Sequence, residues 1–195
     1  AGKTLAGFLP SLLELAPLAE EGPRRPHKLH TLYISPLKAL AVDIERNLTK
    51  PVGEMGLPVT METRTGDTPA HKRQRQKLVP PDILLTNYKM LDYLMLRPKD
   101  RQLWAANNPT TLRYVVVDEL HTFDGAQGTD LALLLRRLRA RLKTPLGHLI
   151  CAGTSATLGN AADTAPLREY ARQIFGMPFG EEAVVTENRQ SVGRF

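Results

Sequence analysis

Tyr114-Val115-Val116-Val117-Asp118-Glu119 is the stretch that most limits what this chain can fold into. Its first four residues are apolar, three of them β-branched, so neither face of a strand built from them suits water. Such a strand must be covered on both sides, as central strands are in a parallel α/β sheet. Two carboxylates follow at once, at the strand's C-terminal end. Ligands of open α/β sheets bind along that edge. Adjacent carboxylates there suit the handling of a cation or a proton; a strand running into an acidic turn is the plainer alternative.

The rest of the chain repeats this arrangement. Thr31-Leu32-Tyr33-Ile34, Val59 to Thr63, Asp82 to Thr86 and Leu149 to Thr154 read as further strands. Helical spacing fills the intervals: Leu5, Phe8, Leu9, Leu12, Leu13 and Leu15 between Thr4 and Leu18, with Pro10 interrupting. Ser35-Pro36 supplies a cap and a first-turn proline for a helix running to about Leu48. A turn at Arg64 to Pro69 leads into a short basic helix, stopped near Leu78 by Pro80-Pro81. Tyr88 to Leu96 reads as helical, and Arg97 to Thr111 as a loop with a helical turn in which Trp104 anchors packing. Thr129 or Asp130 caps a helix whose Leu131, Leu134, Leu135, Leu138 and Leu142 form one stripe. Pro166 to Phe175 is a further helix, and Ala183 to Thr186 a final short strand. The alternation predicts an α/β fold with a mostly parallel central sheet flanked by helices. Polar clusters follow Ile34, Thr63, Leu85, Val117 and Gly153, all at expected strand C-termini.

The chain opens on Ala1-Gly2-Lys3-Thr4. These residues match the end of the phosphate-loop pattern G-x-x-x-x-G-K-[ST]. In that loop backbone N–H groups cradle phosphates, the lysine reaches the β/γ-phosphates and the hydroxyl binds Mg²⁺. The first glycine of the pattern and its feeding strand would precede Ala1. A Gly-Lys-Thr opening an apolar helix, with Asp-Glu closing a hydrophobic strand later, supplies both halves of a magnesium-nucleotide site.

Composition narrows the alternatives. The 195 residues suffice for one domain with a proper core. No apolar run approaches the roughly 18–20 residues of a membrane span. The single cysteine, Cys151, excludes an internal disulfide and a thiolate metal site; its apolar neighbours read as a buried strand. His27, His30, His71 and His148 show no metal-ligand spacing. A net charge of +6 leans toward a polyanionic partner, with basic residues crowded at Arg64 to Lys77 and Arg136 to Lys143. A solvated helix face is the plainer reading of each run.

With these motifs in hand, the sequence resembles the first RecA-like domain of superfamily 2 DExH-box helicases. Ala1-Gly2-Lys3-Thr4 looks like the end of motif I, and Ser35-Pro36-Leu37-Lys38-Ala39-Leu40-Ala41 like motif Ia. Arg64-Thr65-Gly66-Asp67-Thr68 looks like motif Ib, and Leu84-Leu85-Thr86-Asn87 like the nucleic-acid motif after it. Asp118-Glu119-Leu120-His121 is similar to motif II, and Ser155-Ala156-Thr157 to motif III. Within the superfamily the wording around Ser35 and Arg64 resembles the Lhr group. The stretches at Asn87 to Leu94 and Asp118 to Gly128 resemble MrfA-like DNA-repair helicases.

The resemblance implies a RecA-like P-loop NTPase domain, truncated at the N-terminus, over residues 1–180, with 181–195 starting a linker toward a second RecA-like domain. It implies ATP and Mg²⁺ as cofactors, 3′ to 5′ movement on nucleic acid, DNA ahead of RNA, a cytoplasmic setting and no membrane. Gly2, Lys3 and Thr4 would bind ATP. Thr4 and Asp118 would hold Mg²⁺, and Glu119 would deprotonate the attacking water. His121 would link the γ-phosphate to the coupling residues Ser155 and Thr157. Pro36, Lys38, Arg64, Gly66, Asp67, Thr86 and Asn87 would face the nucleic-acid backbone, where contacts carry affinity but little base specificity. Without the second domain the chain is expected to hydrolyse ATP poorly or not at all. Gln190-Ser191-Val192-Gly193-Arg194 imitates a second-domain motif but follows Thr157 too closely to be one. A translocase lobe of a restriction or phage-defence complex, an RNA helicase, and a binding module with a decayed ATP site remain the rivals.

Overall fold

The computed structural model describes residues 2–19, 27–57, 59–155 and 164–185, and of Gly2 to Leu5, Leu18, Ala19, Lys38 and Pro51 the backbone alone. Strands β1 (Thr31–Ser35), β2 (Met61–Arg64), β3 (Ile83–Asn87), β4 (Tyr114–Val117) and β5 (Ile150–Gly153) form one parallel sheet. Their order is β2-β3-β1-β4-β5. The chain moves outward from β1 to the β2 edge, returns through β3, and then crosses to β4 on the other side of β1. The adjacent C-terminal ends of β1 and β4 are therefore the switch point where such sheets open a ligand crevice.

Among the described residues six α-helices cover the sheet: α1 (Gly2–Ala19), α2 (Lys38–Glu54), α3 (Ala70–Leu78), α4 (Tyr88–Leu96), α5 (Gly125–Leu142) and α6 (Ala165–Phe175). The apolar strand runs are sorted by their period of two. Tyr33, Ile83, Leu85 and Val116 pack with Phe8, Leu12 and Leu15 of α1 and Ala41, Ile44 and Leu48 of α2. Their neighbours Leu32, Ile34, Leu84, Val115 and Val117 pack on the other face with α4, α5 and α6. Each fully buried strand serves two cores, which is why it reads as continuous hydrophobe.

Three local expectations are corrected. Helix α5 starts at Gly125, four residues before Thr129, because Gly128 lets the helix pass under the Phe123 carbonyl; a β-carbon there would lie 2.5 Å from that oxygen. Helix α2 begins at Lys38 and not directly after Ser35, whose hydroxyl donates to the Leu37 carbonyl (3.0 Å). Residues Glu181–Ala183 form a 3-10 turn instead of opening a strand, and Thr186 lies outside the described residues. Trp104 behaves as expected, buried in a 3-10 segment (Pro98–Trp104) with its indole N–H donating to the Leu94 carbonyl at 3.1 Å. No described helix is long and apolar enough to cross a membrane.

Candidate nucleotide site and nucleic-acid rim

Asp118 and Glu119 leave β4 at the switch point. The Asp118 N–H donates to the Ile34 carbonyl (2.8 Å), which carries the β1–β4 ladder one step past the strand. The chain then turns sharply, with Glu119 in the left-handed region at φ 48° and ψ 48°. For a residue with a side chain that conformation costs about 1–2 kcal/mol, so its surroundings must hold it. They do so through the residues after β5. The Leu120 N–H donates to the Thr154 carbonyl (2.7 Å), and the Thr154 N–H donates to the Val117 carbonyl (2.9 Å). Gly153 permits this approach, since a β-carbon there would sit 2.7 Å from Leu120 Cδ2.

The acidic pair is differently placed. Asp118 is buried and accepts from the Thr154 hydroxyl. Glu119 Oε2 is screened from solvent and, among the described residues, accepts no hydrogen bond; His121 Nδ1 lies 3.4 Å from it. That same ring nitrogen shares a 2.9 Å hydrogen bond with Ser155 Oγ. His121 thus stands between the Glu119 carboxylate and the Ser155 hydroxyl. Thr157 lies outside the described residues. The Tyr33 hydroxyl closes the floor beside Asp118. Burial first, then Asp118 and Glu119, raise its pKa well above the usual phenol value. The Tyr33 ring stacks on Phe8 of α1, with centroids 4.7 Å apart.

The direction of α1 places the chain's start on this rim. Glu14 lies at the opposite edge of the sheet, 3.5 Å from Arg113 and 3.9 Å from His30, the residues that precede β4 and β1. A β-carbon on Gly7 would lie 3.3 Å from Val116 Cγ1 and 3.6 Å from Thr154 Cγ2. The helix therefore climbs toward the C-terminal rim as its numbers fall. At about 1.5 Å per residue, Lys3 and Thr4 begin roughly 5–6 Å farther along its axis. There the free N–H groups and the positive end of the helix dipole favour an anion.

The expected nucleic-acid residues divide. Gly66 and Asp67 are exposed at the turn after β2, Pro36 is half-buried at the β1–α2 corner, and Leu37 beside it is exposed. Two expectations are corrected. Arg64 is buried: its guanidinium donates to Asp100 (2.9 Å) and to Gln76 Oε1 (3.1 Å). Burial chiefly, offset by Asp100, lowers its pKa. Thr86 is buried too, its hydroxyl donating to the Arg64 carbonyl (2.7 Å). Both side chains brace the turn from within. Asn87 caps α4 by accepting from the Met90 N–H at 2.9 Å. Sequence reading missed Asp100, Gln76 and Thr154. The first two sit in stretches read as loop and basic helix, and Thr154 was taken only as the end of a strand.

A parallel sheet with paired carboxylates at its switch point, faced by the start of a helix that crosses the same rim, is the architecture of a RecA-like nucleotide-binding domain. The model of the DEAD/DEAH box helicase family matches residues 1–165, and the chain belongs to that family. It is 37% identical over 192 residues to the ATP-dependent helicase Lhr-Core of Methanothermobacter thermautotrophicus, covering 93% of this chain and 20% of that protein. The solved structure of Mycobacterium smegmatis helicase Lhr bound to ssDNA and AMP-PNP is similar, at 37% identity and a TM-score of 0.67, over 88% of this chain and 21% of that one. So is the crystal structure of the DUF1998 helicase MrfA bound to DNA and AMPPNP, at 31% identity and a TM-score of 0.68, over 91% of this chain and 22% of that one. The chain thus spans about a fifth of the length of these relatives.

Proposed function

We propose that this chain is the first, ATP-binding lobe of a DNA-dependent motor ATPase that moves 3′ to 5′ along one strand. The observation that carries the reading is the cluster of Asp118, Glu119, His121 and Ser155 at the switch point, on the rim that α1 approaches with its N-terminus.

The residues fit a magnesium-bound nucleotide. Asp118 offers a hard, fixed carboxylate, and the start of α1 offers N–H groups to phosphate oxygens. Asp118 and Thr4 would hold Mg²⁺, and Gly2 and Lys3 the phosphates. When bound, the ion neutralises charge on the phosphate oxygens. Glu119 supplies the base: its carboxylate stands beside Asp118 at the switch point, and among the described residues Oε2 accepts no hydrogen bond, which leaves it able to take a proton from an attacking water. His121 and Ser155 relay whether the phosphate end is occupied, since one ring nitrogen reaches both Glu119 and Ser155. Thr157 would extend that relay toward the cleft with a second RecA-like lobe, which completes the ATP site. Pro36, Lys38, Gly66, Asp67 and Asn87 form the rim for the strand backbone, held stiff by Arg64 and Thr86 beneath.

Replacing Glu119 with Gln in the full-length protein tests this. It should abolish DNA-stimulated ATP hydrolysis while AMP-PNP still binds with wild-type affinity. Unchanged turnover would remove Glu119 as the base, and absence of DNA-stimulated turnover in the unsubstituted protein would remove the motor reading.

A further inference from the structure

Thr154 immediately precedes the Ser155-Ala156-Thr157 motif and touches several parts of the candidate site. Its hydroxyl donates to Asp118 Oδ1 and accepts from the Glu119 N–H at 3.3 Å. Its backbone closes the turn on both sides, to Val117 and Leu120. Its methyl group faces α1, where a Gly7 β-carbon would be 3.6 Å away. One β-branched side chain therefore meets the aspartate, the left-handed glutamate and the helix bearing the phosphate-loop residues. Because χ1 of such a side chain is stiff, fixing the methyl against α1 fixes the hydroxyl toward Asp118.

We propose that Thr154 is a positioning residue that orients the Asp118 carboxylate toward the divalent cation of a bound nucleotide; this rests on the nucleotide reading above. A hydroxyl that donates to one carboxylate oxygen occupies one of its lone pairs and leaves the other oxygen free to face a cation. It also fixes the plane of the carboxylate. The same hydroxyl, by accepting from the Glu119 N–H, holds the next carboxylate at a set position beside it. Outer partners of metal-binding carboxylates act in this way, and their loss costs roughly 10–100-fold in metal affinity.

The test uses the full-length protein with Thr154→Val and Thr154→Ser. Val keeps the shape and the methyl contact and removes the hydroxyl; Ser keeps the hydroxyl. Binding of a fluorescent AMP-PNP analogue is measured across a Mg²⁺ titration and again in EDTA. The Val variant should need roughly tenfold more Mg²⁺, or beyond, for half-maximal Mg²⁺-dependent binding, with binding in EDTA unchanged. The Ser variant should restore the wild-type Mg²⁺ requirement. A Val variant with the wild-type Mg²⁺ requirement would overturn the proposal. So would equal losses with and without Mg²⁺, which would mark Thr154 as structural only. Absence of Mg²⁺-dependent binding in the unsubstituted protein would remove the nucleotide reading itself, and this inference with it.

Discussion

Asp100→Ala should be the most damaging single change outside the two cores. The Asp100 and Arg64 side chains are 3% and 5% exposed and meet at 2.9 Å. Asp100 also faces Lys77 Nζ at 3.5 Å and Arg97 Nε at 3.7 Å, so one carboxylate serves three cations. Removing it leaves Arg64 buried with Gln76 as its remaining side-chain partner and two further positive charges close by. Breaking a buried pair from one side costs about 3–5 kcal/mol. For a domain of this size that lowers the melting temperature by roughly 6–20 °C. Scanning calorimetry of the variant reads the loss directly. The double variant Arg64→Met with Asp100→Leu should recover most of it, because similar volume is refilled without a stranded charge. Lys77 and Arg97 retain solvent access to turn toward. The double variant also separates bracing from contact. If Arg64 only braces the Gly66 turn, the salt dependence of single-stranded DNA binding is unchanged. If it touches a phosphate, the log–log slope shrinks by about 0.7. A single-variant loss below about 1 kcal/mol, the range of an exposed ion pair, would refute the reasoning.

Gly66→Ala should leave the melting temperature unchanged, since a β-carbon there meets no atom of the described residues within 4 Å, while weakening single-stranded DNA binding in a titration if the proposed contact of the strand backbone with that turn holds. Lys143 ends α5 in the left-handed region at φ 54°, so Lys143→Gly should stabilise the fold by about 1 kcal/mol, seen as a higher midpoint in urea. Burial pushes the Cys151 thiol up to about 11, with Arg139 pulling the other way. Iodoacetamide at pH 8 should therefore label it roughly 100-fold more slowly than an unfolded thiol, as read by mass spectrometry. The sign for stability follows: the folded state favours the neutral thiol, so Cys151 contributes fully below its unfolded value of 9.0, and that contribution is lost as pH rises toward 11.

Much of the fold was legible because its signals are local. Val115, Val116 and Val117 are apolar on both faces, and the sheet does bury both. Tyr88–Leu96 matches the helix read from its spacing, residue for residue. Proline and glycine punctuation set most element ends to within a few positions. The misses came where a neighbour outweighed the local signal. Thr129 looks like a helix cap, but Gly128 lets α5 begin earlier under the Phe123 carbonyl. Arg64 looks like a phosphate contact because arginine in a turn motif is normally solvated, and nothing nearby in the chain announces Asp100.

Periodicity, punctuation and motif order are carried by residues a few positions apart, and so the sequence by itself determined the class of fold and the acidic pair at its switch point. Only the tertiary structure joined Arg64 to Asp100, and Thr154 to Asp118, each across 36 residues. Those pairings depend on the strand order and on which side of the sheet each crossover packs. Once the sheet closes, charge burial and hydroxyl geometry at its C-terminal edge are decided by spatial neighbours, whatever their distance along the chain.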